Sequence, residues 1–375
     1  IKDFDKIYKI VKENDIELLI VGPEIPLVDG IVDFFEEKKV KIFGPNKKAS
    51  QLEGSKIFMK KLCKKFNIPS AKFTEIRSID EAEKFMNENN FPIVIKSDGL
   101  AAGKGVTIRN SKKEVLNDVN EIFKGKFNAS RKVILEEFLE GEELSYFILT
   151  DGNKYVQIGT AQDHKRIGEG DTGPNTGGMG AYSPSNLINK ELENKILEKI
   201  IKPTIDGMKT LDCKYKGILY AGLMIKDNEP KLIEYNIRFG DPECQVLMMR
   251  LENDLLDLIL LTIENKLSDV KISWSSKPAI TVVAANKGYP ENYNKTNLIN
   301  NLESILQDDN QQLFHAGTSK NSNGSIIASG GRVFNATVKA KNLKLARERA
   351  VEMIDQIKWK DKYFRKDIGY KAINK

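Results

Sequence analysis

The chain carries only three cysteines, Cys63, Cys213 and Cys244, and two histidines, His164 and His315. The cysteines are far apart and odd in number. They form neither a disulfide framework nor a zinc spacing, which fits a reducing, cytoplasmic location. Neither histidine has a neighbour at metal-ligand spacing, and both are expected at the surface or behind a site. Arginine is scarce too, supplying ten of the 59 basic residues. The net charge of +6 therefore rests on lysines spread along the whole chain. A nucleic-acid partner is not expected, because such a binder clusters its charge and uses arginine to read bases. Also missing is any run of about 20 uninterrupted apolar residues, so no membrane span is expected. The longest such run, 255–263, is broken by Asp257 and suits a buried helix. The opening Ile1-Lys2-Asp3-Phe4 lacks the basic-then-apolar pattern of a secretion signal. What is present is an ordinary globular composition, 40% hydrophobic and 30% charged, long enough for two or three domains.

Periodicity predicts an α/β fold. A helical face at 4–12, an apolar run at 16–21 ending in Gly22-Pro23, a helix at 27–35 and a strand at 40–43 alternate as the back half of a doubly wound unit. Next come a lysine-rich helix at 55–66, a strand from 69 to 74 and a helix at 78–87. Ser78 is its expected cap, with Glu81 three residues on. Strands follow at 91–96 and 106–109, around a glycine-rich stretch at 98–105, then a helix at 112–123. Strands at 132–138 and 144–150 flank an acidic turn. The segment 168–184 is nearly all Gly, Pro, Ser, Thr and Asn, too long for a turn, and is expected to be a functional loop. A helix at 190–211, strands at 215–225 and 231–236, and a helix at 242–251 complete this part. Beyond a boundary near 266–276, strands at 279–285, 314–318, 325–328 and 332–337 and a helix at 343–357 form a mixed tail domain.

Four segments carry chemistry. Lys96 ends an apolar strand ahead of the glycine-rich stretch, a way to hold phosphates with an ammonium and close backbone N–H groups. It is not a Walker A loop, since no Gly-Lys-Ser/Thr opens a helix. The run 134–143 passes from an apolar strand into an acidic turn, able to offer main-chain groups to a base and a carboxylate to a ribose. Glu234 and Asn236 lie two apart on a strand and so share a face. They offer two oxygens to a cation such as Mg²⁺, with Arg238 following, suited to carboxylate or phosphate. The fourth segment is Gln162 to Arg166 with the glycine-dense 168–184, where such freedom is expensive unless the loop wraps a ligand. Taken singly, each has a plain structural reading: a hairpin, a solvated turn, a half-buried strand, a surface loop.

Together they are similar to a known pattern. The order Gly54-Ser55-Lys56, Ile95-Lys96, the loop 101–105, the acidic run 136–143 and the Glu234/Asn236 pair resembles ATP-grasp enzymes. The strings QDHKR (162–166), DTGPNTGGMGAYSP (171–184) and RFGDPECQ (238–245) resemble phosphoribosylamine–glycine ligases in particular. FHAGT (314–318), GGRV (330–333) and RKDIGY (365–370) extend the likeness over nearly the whole chain. The resemblance implies a partial Rossmann-like N-terminal unit (1–55), a two-subdomain ATP-grasp core (56–265) and a mixed α/β C-terminal domain (266–375). It implies that Lys56 and Lys96 meet ATP phosphates and that Gly103, Lys104 and Gly105 form a mobile lid. Glu136, Glu137 and Leu139 are implied to frame adenine, with Glu143 on the ribose. Glu234 and Asn236 would hold Mg²⁺ (or Mn²⁺). Asn175, Thr176, Gly177 and Gly178 would bind substrate, with Arg238, Asp241 and Asp163 as the catalytic set around glycine and 5-phosphoribosylamine. A cytoplasmic monomer is expected. The family also opens with a strand and glycine-rich turn, so roughly 50 further residues of the doubly wound unit are expected ahead of Ile1. That turn is implied to help hold the substrate's phosphate, so this chain alone is expected to bind MgATP yet make little product. Another ATP-grasp carboxylate–amine ligase and a non-catalytic nucleotide-binding fragment stay open as alternatives.

Overall fold

The computed structural model describes residues 2–100, 105–125 and 131–374. Its first unit begins with the helix Phe4–Glu13, capped by Asp3, which accepts from the Lys6 N–H at 3.0 Å. Phe4 and Tyr8 on its inner face pack against Phe34 and Phe35. Strands Leu18–Ile20 and Lys41–Phe43 pair in parallel. The single helix expected at 27–35 is broken in two, Glu24–Asp29 and Ile31–Glu37. Gly30 sits between them at φ +99°, a left-handed conformation that glycine adopts without steric penalty.

The second unit is a four-stranded antiparallel sheet in the order Phe73–Ile76, Val133–Glu137, Ile93–Ser97, Val106–Arg109. Alternation decides what each face carries. Ile93, Ile95, Val133 and Leu135 point to the helices Ile79–Glu88 and Lys112–Phe123 and bury against Ala82, Phe85, Val115 and Val119. Lys96 and Glu136 are thereby turned to the other face, toward the rest of the protein.

The third layer is a nine-stranded sheet. Its order starts Glu229–Asn236, Gly217–Lys226, Glu142–Thr150, Tyr155–Asp163, Gly180–Ser183 and continues through Ala279–Asn286, Arg332–Lys339 and Gln311–His315. The sheet runs unbroken from the central region into the C-terminal one, because Gly180–Ser183 pairs with Asp163 on one side and with Ala279–Val282 on the other. This corrects the expectation for 168–184. The segment is not one long loop but a small hairpin, Arg166–Gly168 with Thr172–Asn175, followed by a fully buried sheet strand. A Cβ on Gly180 would come within 2.6 Å of the Thr281 carbonyl oxygen, so this strand opens on glycine, while Tyr182 two residues on is fully buried. The helix expected at 190–211 forms as one run with a π-helical stretch, Leu197–Ile201, in its middle. In the tail domain, the strand expected at 314–318 lies at Gln311–His315, and the helix Leu343–Gln356 packs on the sheet. Among the described residues no helix is long and apolar enough to cross a membrane.

Candidate nucleotide and substrate site

The helix Lys56–Lys65 meets the small sheet through its N-terminus. Ser55 accepts from the Phe58 N–H, and buried Asp98 accepts from the Ser55 hydroxyl (3.1 Å) and the Ile57 N–H (3.2 Å). Lys56 then donates to the Gly99 carbonyl at 2.8 Å. Burial pushes its ammonium below the ordinary lysine value, while Glu234 pulls it back up and Lys96 presses it down further. One turn on, Lys60 is fully buried. Lys60 and Lys96 both lie 3.1 Å from the same oxygen, Glu136 Oε2, and the other oxygen, Oε1, is buried without a partner. Burial also lowers the Lys60 value, against Glu136. The Glu136 side chain is thus the centre of a buried two-lysine bridge. Lys60 escaped the sequence reading, yet its i+4 spacing from Lys56 puts both on one helix face.

The remaining nucleotide-side residues lie around this bridge. Glu137 faces the opposite way, accepting from the Lys72 N–H at 3.1 Å with Lys231 3.4 Å away. Leu139 is half-buried at the start of the acidic turn. Glu143 is exposed and forms an ion pair with Lys165. Gly105 is buried, its carbonyl accepting from the Ser97 N–H at 2.9 Å. Gly103 and Lys104 lie outside the described residues, as do Ala101 and Ala102.

Glu234 and Asn236 stand half-buried at the outer edge of the large sheet, opposite Gly222 and Tyr220. The alternation expected around them is interrupted. The register shifts beyond Glu234, so that Leu232 pairs with Leu223 and Ile233 is the extra residue of a bulge. The Ile233 carbonyl lies 3.4 Å from Lys96 Nζ, a contact that joins the two sheets at this point. Neither the Glu234 carboxylate nor the Asn236 amide takes a hydrogen-bond partner among the described residues. Those residues include no group of three or more His, Cys, Asp or Glu that could hold a metal. Two oxygen donors suit a hard divalent cation that takes the rest of its shell from water and phosphate oxygens.

The substrate side is built from loops. Arg238 lies 3.2 Å from Glu24 and 3.4 Å from Glu53, and donates to the Phe239 carbonyl at 2.9 Å. Burial raises the Glu53 carboxyl to about 7, against the pull of Arg238 and of the Ile237 N–H that donates to it at 2.8 Å. Asp241 is gripped by Arg332, whose guanidinium donates to its carboxylate (2.8 Å), to its carbonyl (2.7 Å) and to the Gly177 carbonyl (2.7 Å). Tyr289 accepts from the Gly177 N–H at 2.9 Å. Thr176 donates twice to the Lys165 carbonyl, at 2.7 and 2.9 Å, and Asn175 is exposed. A Cβ on Gly178 would come within 2.4 Å of Pro242 and 2.7 Å of Asp163 Oδ1, at φ +111°, so only glycine fits.

Asp163 Oδ1 is buried without a partner, and burial first, then Glu243, raises its carboxyl well above the usual range. Glu243 is itself buried and accepts from Tyr220 (3.0 Å) and Ser145 (3.1 Å). Desolvation pushes Lys165 down, but Glu143, Tyr220, Glu234 and Asp163 together hold its ammonium well above the lysine range. Of the two places expected for it, His164 takes the one behind the site, only 5% exposed. Its Nε2 accepts from the Gly369 N–H at 3.1 Å, and burial, helped by Arg365, pushes it down to about 4. His315 is exposed beside Thr318. Glu53, Lys165, Glu243 and Arg332 are the residues that motif reading passed over. Three of them lie inside or beside quoted strings, whereas Glu53 directly precedes Gly54-Ser55-Lys56.

A small sheet bearing Lys96 is set against the edge of a large sheet bearing Glu234 and Asn236, and the fold is that of the ATP-grasp enzymes. The biotin carboxylase domain of Hydrogenobacter thermophilus 2-oxoglutarate carboxylase is similar in fold alone, with a TM-score of 0.75 over 97% of this chain and 79% of that one, at 16% identity. Family models give the narrower assignment. Residues 54–244 match "Phosphoribosylglycinamide synthetase, ATP-grasp (A) domain", 279–371 its C domain and 1–53 its N domain. The chain belongs to the phosphoribosylglycinamide synthetase family. The phosphoribosylamine–glycine ligase of Brucella melitensis is 46% identical, over 100% of this chain and 88% of its own. The crystal structure of the Thermotoga maritima phosphoribosylamine–glycine ligase superposes with a TM-score of 0.79, at 33% identity, over 88% of this chain and 82% of that one.

Proposed function

We propose that this chain is an ATP-dependent carbon–nitrogen ligase of purine synthesis, joining glycine to 5-phosphoribosylamine to give glycinamide ribonucleotide, ADP and phosphate. The observation that carries this reading is the convergence of Lys56, Lys96 and the unclaimed Glu234/Asn236 pair on one junction between two sheets. In this reading Lys56 and Lys96 neutralise the ATP phosphates. The 136–139 backbone and Leu139 frame adenine, and Glu143 takes the ribose. Glu234 and Asn236 would hold the divalent cation, Mg²⁺ or alternatively Mn²⁺, which supplies charge neutralisation on the phosphates when bound. A glycine carboxylate oxygen attacks the γ-phosphorus, the β–γ bridge breaks and ADP leaves. The amine of phosphoribosylamine then attacks the acyl carbon of glycyl phosphate, and phosphate departs as the C–O bond breaks. Neither step needs a protein nucleophile; positioning and charge suffice.

Arg238 supplies positive charge beside the metal pair, and Asp241 with the 175–178 loop shapes the acceptor pocket. Asp163, whose Oδ1 is buried without a partner close to Gly178, lines the same pocket. A division at 1–55, 56–265 and 266–375, a monomeric state and a cytoplasmic site belong to the same proposal; three free thiols support a reducing compartment. The deciding experiment follows ADP release and product formation from ATP, glycine and freshly made phosphoribosylamine. Release that depends on both glycine and the amine is expected. Release driven equally well by a different carboxylate–amine pair would point to another ligase.

A further inference from the structure

We infer that Arg365 is a positioning residue for the substrate side: fully buried, it fixes where residues 175–178 sit without touching a ligand. The inference rests on reading that loop as substrate-binding. The strand that leads into it cannot be held by burial, because Thr172–Asn175 is exposed at every position. Its hairpin pairs only Thr172 with Gly168 and Asn175 with Arg166, across an irregular register. A two-stranded hairpin of that size is marginal by itself. The C-terminal tail supplies the missing hold. Arg365 is 0% exposed and donates to the Arg166 carbonyl (3.0 Å), to Asp171 Oδ1 (2.9 Å) and with two nitrogens to Asp367 (2.8 Å each).

The second oxygen of Asp171 accepts from Lys371 (2.9 Å) and Tyr370 (3.2 Å), and Asp367 accepts from the Gly170 N–H (2.8 Å). Lys366 N–H donates to Glu169 (3.0 Å) and Tyr363 to the Ile167 carbonyl (2.9 Å). Apart from the Arg365–Asp367 pair within the tail, each bond runs from the tail to the hairpin that precedes Asn175–Gly178, most of them to its turn at 169–171, while Arg332 grips the far end at Gly177. A rigid planar fork can serve three acceptors in fixed directions, which a lysine cannot. The lysines that face ATP sit on other elements, so loosening the hairpin leaves them in place.

The test compares Arg365→Met, Arg365→Lys and Asp171→Asn with the unaltered enzyme. Expected is a rise of about tenfold in the KM for phosphoribosylamine and for glycine, with the KM for ATP changed by less than about twofold. Amide exchange at Thr176 and Gly178 quickens in the same variants. Arg365→Lys, which keeps the charge but not the fork, stays impaired. Should Arg365→Met fail to fold, Asp171→Asn decides, since it leaves the Arg365–Asp367 pair intact. Lower stability with all three KM values and the loop's exchange unchanged would overturn the inference. Thr176→Val separates it from the reading beneath. If the loop does not bind substrate, that variant leaves KM unchanged while exchange still quickens in Arg365→Met. If only the latch is wrong, Thr176→Val raises KM and Arg365→Met does not.

Discussion

The two halves of the site are built by opposite means. On the nucleotide side, charged groups sit on regular strands and one helix, and period-two alternation aims them: Lys96 and Glu136 away from the helices, Glu234 and Asn236 outward from the sheet edge. On the substrate side the backbone is irregular, and arginines distant in sequence hold it. Asp171 meets Arg365 across 194 residues and Gly177 meets Arg332 across 155. On the proposed reading, regular structure positions the phosphates and long-range hydrogen bonding positions the acceptor. Breaking the first should act on ATP and on stability together, whereas breaking the second should act on the substrates alone.

The largest expected effect is at the metal pair. Asn236→Leu is nearly isosteric but removes one of two oxygen ligands. Turnover should fall by about a thousandfold, equal to about 4 kcal/mol, with an unchanged melting temperature. Activity within a few-fold of the parent would remove Asn236 from the metal site. Next is the buried bridge. Lys60→Met leaves the buried Glu136 with a single cation, and should destabilise the fold by about 3 kcal/mol while weakening ATP binding. Adding Glu136→Gln should recover part of that stability. If urea unfolding shows no loss, the bridge is not the anchor of this face.

That asymmetry also explains what the sequence discloses. Apolar runs such as Ile93–Ser97 and Val133–Glu137 announce strands, and the lysine and carboxylates riding on them are legible at once. The strand Tyr155–Asp163 does not announce itself, because Gln157, Gly159 and Gln162 interrupt its apolar character. It is central only because neighbours bury it from both sides. The Gly180–Ser183 strand hides in a glycine-dense stretch that reads as loop. The bulge at Ile233 follows from register, which no single strand specifies. The latch at Arg365 is the least legible, since its partners come together only once the sheet is complete. Motif strings mark its residues without saying what they touch.

Acidity should separate the halves. His164 belongs to the latch, and its value falls from 6.5 to about 4 on folding because burial disfavours the cation. Its contribution is present above pH 6.5 and is lost as pH falls toward 4, by about 3 kcal/mol in total. Glu53 has the opposite sign, with a carboxyl raised from 4.5 to about 7. Its contribution is present below 4.5 and is lost as pH rises through 7. The two offset each other in global unfolding, so local exchange is the better measure. Protection of amides 164–178, corrected for the intrinsic pH dependence of exchange, should fall between pH 6.5 and 5 in the parent and not in His164→Gln, while that of 93–97 holds in both. A uniform fall in both regions would remove the distinction.

The smallest effect should come from the residue next to the most sensitive one. Glu136 and Glu137 are adjacent on one strand and identical in chemistry, but alternation sends them to opposite faces. Glu136 is 2% exposed between two ammoniums, whereas the Glu137 side chain is 26% exposed and meets a backbone N–H and a solvated lysine. Surface pairs of that kind contribute between zero and about 1 kcal/mol. Glu137→Gln keeps an oxygen for the Lys72 N–H and should leave stability and the KM for ATP within about twofold of the parent. Glu136→Gln, by contrast, leaves two buried lysines around a neutral amide and should raise that KM clearly. The comparison isolates side-chain direction from composition, because the two variants differ by one position and nothing else. If Glu137→Gln weakened ATP as much as Glu136→Gln, the nucleotide would have to reach the outer edge of the sheet, and the nucleotide side could no longer be assigned to the face that carries Lys96.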